Sequence, residues 1–362
     1  MAGKKRPVSK QILAKAGQLH VGIDLHKKFL QVAVMNQNGT MLFEDRIDND
    51  WDVIKKFFAR FPQDSRYVVE SSSVWYGLYR YMTDKLGMDV TVSNPFVNKV
   101  IATSKKKTDK VDARILADLD RGGYISECYV PDEQTVENRR LTRFRHKMVH
   151  MRTACKNGIH GILLQDGIKI HATNWTAMYM IALHRLKNYR IEGYLTEIES
   201  FNKIIHDLDY KIRAITSASE EACRLKTIPG VGDYTALVMT AEIGDKSRFL
   251  NSHQLCAYAG IVPSVRNSAD TIHHGNITKR GSKMMRWALV EAVHTHVRRF
   301  PETDLSIFYK RLEKKRGRSK ATVAAASKLL RIMYWMLKEG KDFAPNYSQS
   351  HKPREDVEGK PR

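Results

Sequence analysis

Cysteine is scarce in this sequence: Cys128, Cys155, Cys223 and Cys256 are scattered through 362 residues, and no two form a CxxC pair. That spacing excludes a disulfide framework and a zinc knuckle, and it fits a reducing compartment. The 14 histidines contain no HExxH, so no zinc-hydrolase helix and no structural metal are expected. No apolar run approaches the roughly 18 residues that span a bilayer, and no leading apolar segment directs export. A soluble, cytoplasmic, nucleoid-associated protein is the expectation. Acid is also in deficit, with 39 Asp and Glu against 61 Lys and Arg, a formal charge of +22. A chain that sits on phosphate backbone has this balance, as does a merely sticky polycation.

What is present is patterned, and the length implies two or three domains. Residues 1–19 carry Lys4, Lys5, Arg6, Lys10 and Lys15 with no acid, and read as a mobile basic arm. Over 20–131, VGIDLH, FLQVAVM and MLFEDRI predict an antiparallel three-strand meander. A helix near 51–61, a strand YVVE, a helix WYGLYRYMTDKLG, a strand MDVTVSN and a helix over 108–121 follow. This is the order of an α/β RNase H-like domain. Over 132–224 no strand signal appears. Leu141, Phe144, Met148, Met151, Cys155, Ile159 and Ile162 alternate by three and four, as do Tyr194, Ile198, Phe201, Ile205, Leu208, Ile212 and Ile215. Two long helices packed as a coiled coil are expected. Residues 225–341 read as a mainly α domain, with a helix-hairpin-helix-like element at TIPGVGDY and a loop-rich section up to Ser282. A disordered tail is expected over 342–362.

Four acids stand out. Asp24 lies inside an apolar strand, where a charge has no structural use, and Glu70 ends a strand that would run beside it. Asp109 and Asp112 share a face at a helix start, where they either cap the helix and favour its dipole or complete a cluster. Converging carboxylates repel unless divalent cations neutralise them, the arrangement of two-metal phosphoryl transfer. Lys105, Lys106, Lys107 and Lys110 beside them would hold a nucleic-acid backbone. From Arg139 to Lys156 stand seven basic residues and no acid. Arg139, Arg140, Arg143 and Arg145 are candidate contacts for structured RNA, with a solvated face as the alternative. Backbone amides around Gly230 and Gly232 suit a DNA phosphate, unless the turn is an ordinary helix connection.

VGIDLHK, VVESSS, SKKKTDKVDARILADL, TIPGVGDYTALVMTAEIGD and AYAGIVPSVRNSAD…GNITKRGSKMMR together closely resemble the DEDD-type insertion-sequence transposases, over about residues 20–340. The resemblance implies a RuvC-like N-terminal domain with Asp24, Glu70, Asp109 and Asp112 binding Mg2+ or Mn2+. It also implies a nucleophilic serine at Ser268 in a C-terminal transposase domain, DNA donor and target, a bridge RNA as guide, and a homo-oligomer. Ser73 and Ala269 stand where the family pattern leads us to expect glycine. Ser264 beside Pro263 reads as turn chemistry and Ser282 as an N-cap. Lys279, Arg280 and Arg286 either stabilise phosphate charge or belong to a solvated helix end. A RuvC-type nuclease acting by hydrolysis is the alternative activity, indifferent to Ser268. A non-catalytic DNA-binding scaffold would leave Asp24 unexplained.

Overall fold

The computed structural model describes residues 13, 15–72, 74–95, 108–268 and 271–344. The chain divides between Val130 and Pro131 into two compact units.

The first unit is built on a five-stranded sheet. Strands β1 (Leu19–Leu25), β2 (Phe29–Asn36) and β3 (Met41–Asp48) form an antiparallel meander. Helix α1 (Trp51–Phe58) then carries the chain across to β4 (Arg66–Glu70), which runs parallel to β1. Helix α2 (Trp75–Arg80), prolonged by a π-helical turn at Tyr81–Lys85, leads to β5 (Asp89–Ser93), parallel to β4. The order is β3-β2-β1-β4-β5. Being central and covered on both faces, β1 has almost no exposed residue, whereas edge strand β3 is mostly polar and open.

Val21, Ile23 and Leu25 of β1 join Phe57, Phe58, Leu78 and Met82 in one core on one face of the sheet. The opposite face seats α3 (Asp109–Arg121) on small residues, Gly22 and its register partner Ala33. A Cβ on Gly22 would overlap the Ala113 carbonyl and lie 2.6 Å from the Ala117 nitrogen, so only glycine allows this approach. Leu13, in the segment expected to be mobile, is fully buried in the same core as β1. An apolar side chain this deep fixes its backbone, so the expected arm is anchored at that residue.

The second unit begins with α4 (Glu133–Gln165), followed by α5 (Ala177–Arg185) and α6 (Tyr189–Ala218). Ile159, Ile162 and Leu163 meet Ile191, Leu195 and Ile198, while Met148 meets Phe201, Ile205 and Leu208, so α4 and α6 run antiparallel. Helices α7 (Glu220–Lys226), α8 (Asp233–Ile243), α9 (Ser252–Ala259), α10 (Lys283–Arg299), α11 (Asp304–Arg316) and α12 (Arg318–Glu339) share a larger core. Apolar nearly all round, α8 lies within it. The section expected to be loop contains a hairpin, β6 (Pro263–Ser268) and β7 (Thr271–Ile277). Its sequence is too polar to show as strand. Among the described residues no helix is long and apolar enough to cross a membrane.

Candidate metal centre

The parity that puts Gly22 against α3 puts Asp24 on the same face, at the end of β1. There Asp24, His26 and Asp109 converge, their ligand atoms all within 4.8 Å of one another. His26 Nε2 is 3.1 Å from Asp24 Oδ2 and 3.5 Å from Asp109 Oδ2. Burial pushes the Asp24 carboxyl above its ordinary value of 3.8; His26 opposes the shift, and the charges of Asp112 and Asp109 add to it. Asp112, one turn along α3, is thus within electrostatic reach of Asp24. Glu70 ends β4 and shares the parity of Val68, the register partner of Gly22, which puts it on the α3 face. Thr108, not Asp109, caps α3, accepting from Val111 N at 3.4 Å. Asp109 is thereby left for the cluster.

Three further contacts hold α3 in place. At its far end Asp120, buried, lies 2.6 Å from His20 Nδ1 and 3.2 Å from Arg66 Nη2, which ties the helix to β1 and β4. Arg114 pairs with Glu44 of β3. Each sequence-predicted acid therefore stands on this face of the sheet. His26 is the residue that apolar patterning passes over. It stands on the turn just after β1, where neither strand parity nor apolar periodicity marks it. A half-buried and an exposed carboxylate flanking one imidazole fit a divalent cation by their donor chemistry.

Residues 21–166 match the DEDD_Tnp_IS110 family, described as transposase, and residues 222–310 the transposases of the IS116/IS110/IS902 family. The transposase for insertion sequence element IS1111A of Coxiella burnetii is 25% identical over 88% of this chain and 89% of its own length. That for IS1328 of Yersinia enterocolitica is 24% identical over 90% and 98%. The pilin gene-inverting protein of Moraxella bovis is 27% identical over 70% and 74%. The chain belongs to the IS110-type DEDD transposases. It is accordingly a DNA-cleaving and rejoining enzyme.

In this transposase Ser268 ends β6, paired with Thr271, rather than lying in a loop. Ser264 donates its hydroxyl to Asn276 O at 3.0 Å, and Ser282 caps α10, accepting from Met285 N at 3.1 Å. Lys105, Lys106 and Lys107 lie outside the described residues, while Lys110 is exposed on the first turn of α3. The arginines of α4 are engaged inside the second unit. Arg139 donates to the Ala241 and Glu242 carbonyls at the end of α8. Arg143 meets the buried Glu242 carboxylate at 2.8 Å. Arg145 pairs with Asp209 at 2.5 Å and stacks on Tyr234, and Arg140 pairs with Glu137. Three of these four arginines thus meet acceptors on neighbouring helices, while Arg140 meets an acid of its own helix.

Gly230, at φ 93°, packs against Ala292 and His296 of α10, where His296 contacts the Pro229 carbonyl at 2.6 Å; Gly232 is exposed. Of the other predicted contacts, Lys279 and Arg280 are exposed, and Arg286 donates to Ala259 O at 2.8 Å. Sequence reading assigned no contact to the run from Lys310 to Lys320, whose seven Lys and Arg are all exposed.

Proposed function

We propose that this transposase cuts and rejoins DNA by means of a cation, Mg2+ or Mn2+, held by Asp24, Glu70, Asp109 and Asp112, and a nucleophilic Ser268, with a bridge RNA as guide. The observation that carries the reading is Asp24, a half-buried carboxylate at the end of the central strand with Asp109 and Asp112 arrayed against it. The mixed five-stranded order β3-β2-β1-β4-β5 supports reading the first unit as an RNase H-like, RuvC-like domain. When bound, the cation would neutralise the acids and polarise a phosphate oxygen. Asp24 and Glu70 offer oxygens from the sheet, Asp109 and Asp112 from α3, and Lys110 places a positive charge beside them for the DNA backbone.

The Ser268 hydroxyl forms a new bond to phosphorus as a DNA oxygen leaves and a base takes its proton; a second DNA hydroxyl later reverses the exchange, restoring serine. Such an ester conserves the bond energy needed for rejoining. Hydrolysis by a RuvC-type nuclease would cut only, and the name of the Moraxella relative, a gene-inverting protein, favours rejoining.

The antiparallel α4–α6 pair is read as a coiled coil, and the α7–α8 connection as a helix-hairpin-helix-like element offering Gly232 to phosphate. At the far end of the pair Leu164, Met178 and Tyr189 are exposed, an apolar surface suited to a second copy of the chain. Asp24→Asn tests the central claim. We expect strand cleavage to be abolished and DNA binding retained; full cleavage by the variant would sink the metal-site reading.

A further inference from the structure

His26 belongs to none of the four-acid set, yet its Nε2 faces two of the set's members at 3.1 Å and 3.5 Å. Its ring is held in that direction. It stacks on Phe29 with centroids 4.5 Å apart and planes 25° from parallel, and the Arg46 guanidinium lies over the same Phe29 ring at 3.5 Å. The backbone is fixed as well: His26 N donates to Phe29 O at 2.9 Å, and Asn49 Nδ2 donates to His26 O at 3.1 Å. A side chain on a turn between two strands thus has backbone and ring held from opposite ends. Such preorganisation is what a ligand needs and what a solvated histidine lacks.

We propose that His26 supplies a nitrogen ligand to the cation that Asp24 and Asp109 hold, and that this nitrogen biases the centre toward Mn2+ over Mg2+. The inference rests on the metal-site reading above and adds a ligand to it. Mg2+ keeps to oxygen and holds its water tightly, whereas imidazole nitrogen is a better partner for transition-metal ions, Mn2+ included. The imidazole also brings no negative charge into a cluster already crowded with carboxylates. It can therefore complete a coordination sphere without adding repulsion. A purely structural histidine would leave the metal preference of the site to the acids alone.

The full-length protein, stripped of metal and loaded with one equivalent of Mn2+, tests this by pulsed electron paramagnetic resonance. We expect a directly coordinated ¹⁴N coupling in the wild type and its loss in His26→Gln. Titration should show Mn2+ affinity falling about tenfold in that variant, Mg2+ affinity much less. Mn2+ that binds in an Asp24-dependent manner but shows no ¹⁴N coupling, or a coupling that persists in His26→Gln, overturns the role of His26 alone. Mn2+ binding that is absent, or unchanged by Asp24→Asn, overturns the metal-site reading with it. Because the wild-type spectrum is itself decisive, misfolding of a variant does not protect the proposal.

Discussion

At the scale of single residues, Asp24 carries a thermodynamic burden that its neighbours make worse. Its carboxyl is raised above 3.8 by burial, against the opposing pull of His26 and with Asp112 and Asp109 adding to the shift. The folded chain therefore holds this proton more tightly than the unfolded chain does. Stability linked to the group is present while it is protonated and falls as pH rises from 3.8 through the raised value. We predict that Asp24→Asn, neutral at every pH, raises the melting temperature of the chelator-treated protein at pH 7. The gain should shrink as pH is lowered toward 4. A variant less stable than wild type at pH 7 would contradict the burial argument. An active site that gains stability on losing its charge is a common trade of stability for function.

The same residue shows what a linear sequence can reveal. A charge inside VGIDLH is anomalous by itself, so Asp24 was legible, and Glu70 followed from strand order. His26 was not, because histidine at a strand end is unremarkable until a neighbouring helix brings Asp109 to it.

Among elements, α3 decides whether the acids meet. Its first turn carries Asp109 and Asp112, and its last carries Asp120, some 16 Å away at 1.5 Å per residue. His20 and Asp24 lie roughly 13 Å apart along β1. The helix is thus pinned to the strand at both ends, with Gly22 between. We predict that Gly22→Ala lowers stability by about 1–3 kcal/mol through overpacking. It should also weaken Mn2+ binding, because α3 must move away from Asp24. Gly77→Ala in α2, where an added Cβ meets nothing within 4 Å, is the control and should leave both quantities intact or slightly improved. Denaturant midpoints and metal titrations on the pair would decide the matter, and a Gly22→Ala protein with unchanged metal affinity would mean that α3 does not set the geometry.

Helix packing also explains where apolar periodicity went astray. The seam expected on α4 included Phe144 and Met151, yet these are 48% and 40% exposed. The inward positions next to them belong to Arg145, paired with Asp209, and Arg152, which donates to Asn202 at 2.8 Å. On α6, Leu195 replaces Tyr194 in the same way. Periodicity counts apolar residues, and an arginine that buries its stem while pairing its head is invisible to it. Likewise Arg139, Arg143 and Arg145, three of the four arginines that look like an RNA face, are engaged by α6 and α8.

For the whole molecule, a charge of +22 means that binding to nucleic acid should weaken steeply with salt. The exposed run from Lys310 to Lys320 is where we expect that dependence to originate. Replacing Lys314, Lys315, Arg316 and Arg318 with glutamine should flatten the slope of log affinity against log salt by up to about four. Neutralising Arg139, Arg143 and Arg145 should instead lower stability. An unchanged salt slope would place the contact elsewhere.

Rejoining is tested by Ser268→Ala. A reaction quenched in denaturant should lose both the covalent protein–DNA adduct and the recombinant product, with Ser264→Ala and Ser282→Ala keeping the adduct. Normal strand joining by Ser268→Ala would remove the serine from the mechanism. The hairpin that carries Ser268 was hidden in the sequence because PSVRNS and TIHHGNI are mostly polar and hold few apolar residues in alternation. The motif, not the fold, pointed to it.

Helix α4 extends about 50 Å at 1.5 Å per residue, and its root is fastened to α8 by Arg139 and Arg143, and to α6 by Arg145. This makes it a lever. A rocking of about 5° at the root sweeps the tip through roughly 4 Å over that length, nearly one helical turn. Glu242, buried beneath Arg143, is then the fulcrum of the second unit. A ligand or partner that loosens that one ion pair would be felt most at the tip, where Leu164 and Tyr189 face solvent.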